Sequence, residues 1–224
     1  MKKNKKSKNW IIKQRRDPYF QLSKNQGYRS RSAFKLIEMN EKFKFLKNNL
    51  SLLDLGASPG GWSQVARKKI NNGRILAIDI KDMEKIENVN FIKGNFFEKQ
   101  IYEKIDKYFG SKVNIVLSDM APNTSGNKSL DSYRAGELCL SAMDLALKIL
   151  AIDGVFISKL FMGSIYNEIK KKAEKSFKKV INYKPLSSKK ESKEIYIFCK
   201  GVLKIWYIMH QSLISNLWKI SVYI

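Results

Sequence analysis

Leu50-Ser51-Leu52-Leu53-Asp54-Leu55-Gly56-Ala57-Ser58-Pro59-Gly60-Gly61-Trp62 is the stretch that decides the fold. Leu50 to Leu55 is a short, mainly apolar run that stops abruptly at glycine, which reads as a buried strand. Gly56, Gly60 and Gly61 make a turn in which backbone can approach a ligand with no Cβ in the way. From Trp62 the positions Val65, Ala66 and Ile70 suit a helix, whose N-terminal N–H groups would face that turn. Strand, glycine turn and helix in this order cradle nucleotide-like ligands in doubly wound α/β folds. The spacing Gly-x-x-x-Gly-Gly lacks the tight Gly-x-Gly of the dinucleotide fingerprint.

Length and charge bound the rest. The 224 residues suit one α/β domain with extensions, and 44% hydrophobic residues suffice for a full core. The net charge of +23 exceeds what solubility needs and suggests a polyanionic partner. A lysine-rich composition accounts for part of it, but the charge is uneven. Residues 1–35 carry twelve Lys or Arg against one acid, Asp17. Cys139 and Cys199 fall in a helical and a strand-like pattern and read as buried free thiols. No metal-ligand spacing occurs, and the single histidine, His210, lies near the C-terminus, so a metal is not expected. No long apolar run or secretory signal is present, so stable membrane association is not expected and the cytoplasm is the default.

Taken in order, residues 1–27 form a basic arm with Trp10, Tyr19 and Phe20 interspersed, either solvated or lying along phosphates. A helix begins within Tyr28–Leu36, with Ser30 or Ser32 as cap and Phe34, Ile37, Phe43 and Leu46 along its stripe. Arg29, Arg31 and Lys35 cluster near its start and are candidate RNA contacts, because arginine's planar fork suits phosphate oxygens. Arg74–Asp79 is a second buried strand ending in a carboxylate where such folds meet the ribose of a bound nucleoside. Strands follow at Val89–Asn95, Val113–Asp119, Gly154–Phe161, Val180–Tyr183 and Glu194–Cys199. Helices are expected over Phe96–Tyr108, Ser132–Ala151 and Ser164–Phe177, with a polar loop at Thr124–Asp131. The alternation predicts a Rossmann-like α/β domain over 28–200, its mostly parallel sheet covered by helices on both faces. Residues 201–224 are an apolar extension whose Val202, Trp206, Met209, Leu213, Leu217 and Ile220 fit one helical face.

Four charged residues stand out: Lys35, Asp119, Lys159 and Glu194. Lys159 interrupts an otherwise buried strand and needs a carboxylate nearby. Asp119 ends the adjacent strand and can supply it. Each charge alone is explained by a structural ion pair or an exposed strand end, but all four converging on one rim points to chemistry.

Asp54-x-Gly56-x-x-x-Gly60 resembles motif I of S-adenosylmethionine-dependent methyltransferases. Asp54 to Gln64, Ser118-Asp119-Met120-Ala121-Pro122-Asn123, the Lys159 strand, Ser192-Lys193-Glu194-Ile195-Tyr196-Ile197 and Tyr28 to Leu36 together resemble the FtsJ/RrmJ (RlmE) family of ribosomal RNA 2′-O-methyltransferases. The likeness runs from roughly Lys13 to Lys200. It implies a catalytic tetrad of Lys35, Asp119, Lys159 and Glu194, and S-adenosylmethionine contacts at Gly60, Trp62, Asp79, Asn95 and Asp119. It further implies a uridine ribose of 23S, large-subunit rRNA as target, with a monomeric enzyme expected. Asn95 departs from the family pattern, which has aspartate there.

The chemistry this implies is in-line methyl transfer to a ribose hydroxyl, a poor nucleophile that needs positioning and a base. Lys159 is the candidate base; protonated, it would instead stabilise the developing alkoxide. Rival readings are a ribose methyltransferase acting on transfer RNA or an mRNA cap, and a non-catalytic RNA-binding assembly factor. The absence of an Asn/Asp-Pro-Pro-Tyr segment argues against adenine methylation. A nicotinamide dehydrogenase would need the fingerprint and a catalytic histidine, and this sequence has neither.

Overall fold

Most of the sheet is laid down by apolar runs that pair in parallel because a helix separates most of them. A computed structural model describes residues 16–203, apart from 124 and 190. In chain order the elements are α1 (Pro18–Asn25), α2 (Ala33–Phe43), β1 (Leu52–Leu55), α3 (Gly61–Lys69), β2 (Ile75–Asp79), β3 (Asn90–Lys93) and α4 (Lys99–Phe109). They continue with β4 (Val113–Ser118), α5 (Lys128–Ile149), β5 (Leu150–Phe161), α6 (Tyr166–Ser176), β6 (Phe177–Tyr183) and β7 (Glu194–Val202). One seven-stranded sheet has the order β3-β2-β1-β4-β5-β7-β6. The strands from β3 to β5 are parallel, and β7 runs antiparallel to both β5 and β6. This is the expected Rossmann-like α/β architecture, with the parallel order reversing at β1 and β4. That reversal opens a crevice at the carboxyl ends of those strands, where such folds bind ligands.

Alternation along each strand divides the core in two. On one face Leu52, Ile75, Ile115, Leu117, Val155, Ile157, Tyr196 and Phe198 pack against α2 and α3. On the other, Leu53, Leu55, Leu76, Val116, Phe156 and Ile197 pack against α4, α5 and α6. Cys139 and Cys199 are both buried as free thiols in the second layer. Among the described residues no helix is long and apolar enough to cross a membrane.

The structure departs from the sequence reading at element ends. The basic arm contains helix α1, because Asp17 caps it: its Oδ1 accepts from the N–H groups of Tyr19 at 3.0 Å and Phe20 at 3.2 Å, and Pro18 presets the first turn. Tyr19 then packs on Phe34, ring centres 5.5 Å apart, which ties α1 to α2. Helix α2 starts only at Ala33; Ser32 holds the cap position without a cap bond, its Oγ lying 2.7 Å from Ser30 Oγ. Helix α5 begins inside the expected polar loop, capped by Asn127, whose side chain accepts from Ser129 and Leu130. Residues 1–15 of the arm and 204–224 of the extension lie outside the described residues, His210 and the apolar stripe from Trp206 to Ile220 with them.

Candidate active site

The expected tetrad forms two ion pairs on the α2 side of the sheet. Parallel pairing of β4 with β5 sets Ser118 beside Ser158, so Asp119 and Lys159 come next on the two chains. Lys159 Nζ donates to the Asp119 backbone oxygen at 2.7 Å and to its Oδ1 at 3.0 Å. Antiparallel pairing places Tyr196 opposite Lys159 and Glu194 opposite Phe161. Lys35, in the first turn of α2, reaches Glu194 Oε1 at 2.5 Å. Side-chain exposure is 8% for Lys159, 17% for Asp119 and 12% for both Lys35 and Glu194, so the charges are shielded yet reachable.

Tyr196 joins the pairs and was not singled out from the sequence. Its hydroxyl donates to Asp119 Oδ1 at 2.8 Å, and its ring lies 5.6 Å beneath Lys35 Nζ. Burial, Asp119 and Glu194 all push its phenol pKa well up, so it stays a neutral donor. Burial alone would raise the Asp119 pKa, but Lys159 and then Lys35 outweigh it and hold the carboxyl below its ordinary value.

The geometry leaves one direction open at the Lys159 amine. An ammonium at Lys159 spends two of its three N–H donors on Asp119 and keeps one for an incoming oxygen. A neutral amine in the same place satisfies the same two acceptors and turns its lone pair in that remaining direction.

Asp119 also lines a cavity of about 590 Å³ at the carboxyl ends of β1, β2 and β4. Its wall includes Gly56, Asp79, Ile80, Asn95, Phe97 and Met120. Asp79 is held by the N–H groups of Ser58 at 2.9 Å and Lys81 at 2.8 Å. Asn95 Oδ1 accepts from Phe97 N–H at 3.2 Å. Gly56 has φ +71°, and a Cβ there would sit 2.5 Å from Met120 Cγ, so this first glycine keeps the cavity floor open. Among the described residues no three His, Cys, Asp or Glu side chains converge as metal ligands.

Several expected site residues are placed otherwise. Gly60 and Trp62 are not on the cavity wall. Trp62 is 2% exposed, its indole N–H donates to Ser32 O at 2.9 Å, and its ring packs on Tyr196; the side chain is core. A Cβ on Gly60 would meet Ile86, Arg29 and Met83, so the turn presses against protein there. The candidate phosphate contacts are engaged internally. Arg29 donates to the carbonyls of Pro59 at 3.2 Å, Glu84 at 2.6 Å and Lys85 at 2.9 Å. Arg31 pairs with Asp17 and donates to Ser187 O. Lys35 is committed to Glu194.

Beneath the turn Asp54 is fully buried on β1, with Oδ2 accepting from Ser63 Oγ at 2.6 Å and Oδ1 unpartnered. Burial raises its pKa from 3.8 to about 7 against the opposing Ser63 bond. A carboxyl whose folded pKa is raised holds its proton more tightly in the folded state between those values. Its contribution to stability therefore falls as pH rises from about 4 to about 7, by on the order of 4 kcal/mol, and is level above. We predict that Asp54→Asn gains stability relative to wild type over that interval in urea titrations; a pH-independent difference would refute this.

Comparison with known proteins places the chain in a family. Residues 28–202 match the model of the FtsJ-like methyltransferase family. A Pelagibacter ubique protein named ribosomal RNA large subunit methyltransferase E is 52% identical over 200 residues, covering 89% of this chain and 98% of its own. A Rickettsia canadensis protein of the same name is 44% identical over 197 residues, 85% of this chain and 87% of its own. Among solved structures, one from Plasmodium falciparum described as a ribosomal RNA methyltransferase shares 36% identity with TM-score 0.72, covering 79% of this chain and 99% of that one. Human methyltransferase-like protein 13, at 12% identity and TM-score 0.51 over 82% of this chain and 88% of its own, shares the fold alone. With a tetrad-like cluster beside a glycine-floored cavity and a family match spanning the folded domain, the chain belongs to the FtsJ-like methyltransferases.

Proposed function

We propose that this protein transfers a methyl group from S-adenosylmethionine to the ribose 2′-hydroxyl of a uridine in large-subunit rRNA, as a cytoplasmic monomer. The observation that carries this reading is Asp119, which lines the cavity and holds the Lys159 amine within 3.0 Å. A donor pocket and a proton-handling lysine thus share one residue. The names of the Pelagibacter and Rickettsia relatives support rRNA as substrate, and the net charge of +23 suits a polyanion.

The cavity fits the cofactor in size and polarity: Ile80, Phe97 and Met120 offer apolar walls for an adenine, while Asp79 and Asp119 offer acceptors. Asp79 would hold the ribose hydroxyls and Asn95 the adenine edge. Gly60 and Trp62 can serve the ligand only through backbone groups at the start of α3, since their side-chain positions face protein. When bound, S-adenosylmethionine supplies an electrophilic sulfonium methyl. Lys159 orients the substrate hydroxyl and, in its neutral amine form, accepts the hydroxyl proton at Nζ. Asp119 holds that amine, Tyr196 holds Asp119, and Lys35 pairs with Glu194.

At position 95 asparagine accepts hydrogen bonds without the help of a negative charge. Asn95→Asp is predicted to tighten S-adenosylhomocysteine binding about fivefold, the difference between a neutral and a charge-assisted bond. Calorimetric titration showing no gain would reject that argument. The function itself is tested by incubating the protein with large-subunit rRNA and labelled cofactor, then digesting to nucleosides. Label in 2′-O-methyluridine is expected; label in a methylated base would overturn the proposal.

A further inference from the structure

The β6–β7 connection is fastened to α2 from two sides, and one of its side chains ends on the tetrad. Glu38, one turn beyond Lys35 on α2, accepts the backbone N–H groups of Leu186 at 2.6 Å and Ser187 at 2.9 Å through its two carboxylate oxygens. Arg31, itself paired with Asp17, donates to the Ser187 carbonyl. Ser188 closes the turn with its N–H on Pro185 O at 3.0 Å. It is 6% exposed, and its Oγ donates to Glu194 Oε1 at 3.0 Å, the oxygen that also takes Lys35. Two donors on one carboxylate oxygen fix the plane of that carboxylate and, through it, the Lys35 ammonium.

We infer that Ser188 is a positioning residue for Glu194 and that Glu38, by gripping the loop backbone, sets Ser188. The same helix thereby presents Lys35 to the reaction and builds the support for its partner. A bidentate carboxylate on two consecutive N–H groups is a rigid attachment, because charge-assisted bonds are short and directional. Arg31 serves this attachment as well. The inference rests on the tetrad reading, in which the Glu194 carboxylate helps orient the reacting groups.

The test measures methyl transfer to large-subunit rRNA with the full-length protein, together with S-adenosylhomocysteine affinity and thermal midpoint. Ser188→Ala is expected to lower kcat about tenfold at unchanged KM for cofactor, and Glu38→Gln to do the same. Because both act on one carboxylate, the double variant should fall no more than about twofold below the weaker single. Ser188→Ala within about twofold of wild type, or a double variant whose losses multiply, would overturn the inference. Glu194→Ala measured alongside separates the failures. If it retains activity, the tetrad reading fails and this inference with it. If it is crippled while Ser188→Ala is normal, only the positioning role fails.

Discussion

Lys159→Ala should lose about a thousandfold in kcat/KM for rRNA, the middle of the range for removing a positioned proton acceptor. S-adenosylhomocysteine affinity should be unchanged, because Lys159 is not among the residues lining the cavity. Lys159→Arg separates the two roles open to this side chain. A guanidinium keeps the positive charge and its donors but stays protonated at any workable pH, so it can steady an alkoxide and cannot take a proton. The expected result is an arginine variant nearly as inactive as alanine. An arginine variant of near-normal rate would remove Lys159 as base and leave it as an electrostatic stabiliser.

Asp119→Asn should have the second largest effect, on stability and activity together. The wild-type carboxylate meets Lys159 Nζ at 3.0 Å and the Tyr196 hydroxyl at 2.8 Å. Removing its charge strands a largely buried ammonium, a change that typically costs about 3–5 kcal/mol. Urea titration at pH 7 should show a loss near the lower end, since Asp119 keeps 17% of its side-chain surface and Lys159 8%. The pH dependence has a definite sign. Burial alone would raise the Asp119 pKa, but Lys159 and Lys35 bring it below 3.8. Its stabilisation is thus complete above that value and disappears as pH falls through the lower folded one. The gap between wild type and variant should be level across the neutral range and close only below about pH 4. An Asp119→Asn protein as stable as wild type at neutral pH would mean that desolvation cancels the pair.

What could be read in the chain, and what could not, follows from the range of the forces involved. Strand β1, the glycine turn and Asp79 were legible because apolar runs ended by glycine or a carboxylate are local signals. Lys159 was legible as a charge where a buried strand should be apolar, and its partner followed from strand adjacency. Tyr196 was not, because tyrosine is ordinary in a strand; only the period of two from Glu194, placing both on the Lys159 face, could have marked it. Helix α1 hid inside a basic segment with few apolar positions, although Asp17-Pro18 is a start signal. The internal partners of Arg29 and Arg31 were not legible for another reason. An arginine cluster looks the same whether its partners are phosphates or the chain's own carbonyls, and those of Glu84 and Lys85 lie far along the sequence. Glu38, which meets Leu186 and Ser187 from a distant helix, gave no local sign at all.

The most direct test of the account is primer extension on large-subunit rRNA from cells with and without the gene, at limiting nucleotide concentration. The account predicts one pause, next to a uridine, that is present with the gene, lost without it and not restored by a Lys159→Ala copy. An unchanged pattern of ribose methylation in cells lacking the gene would contradict it.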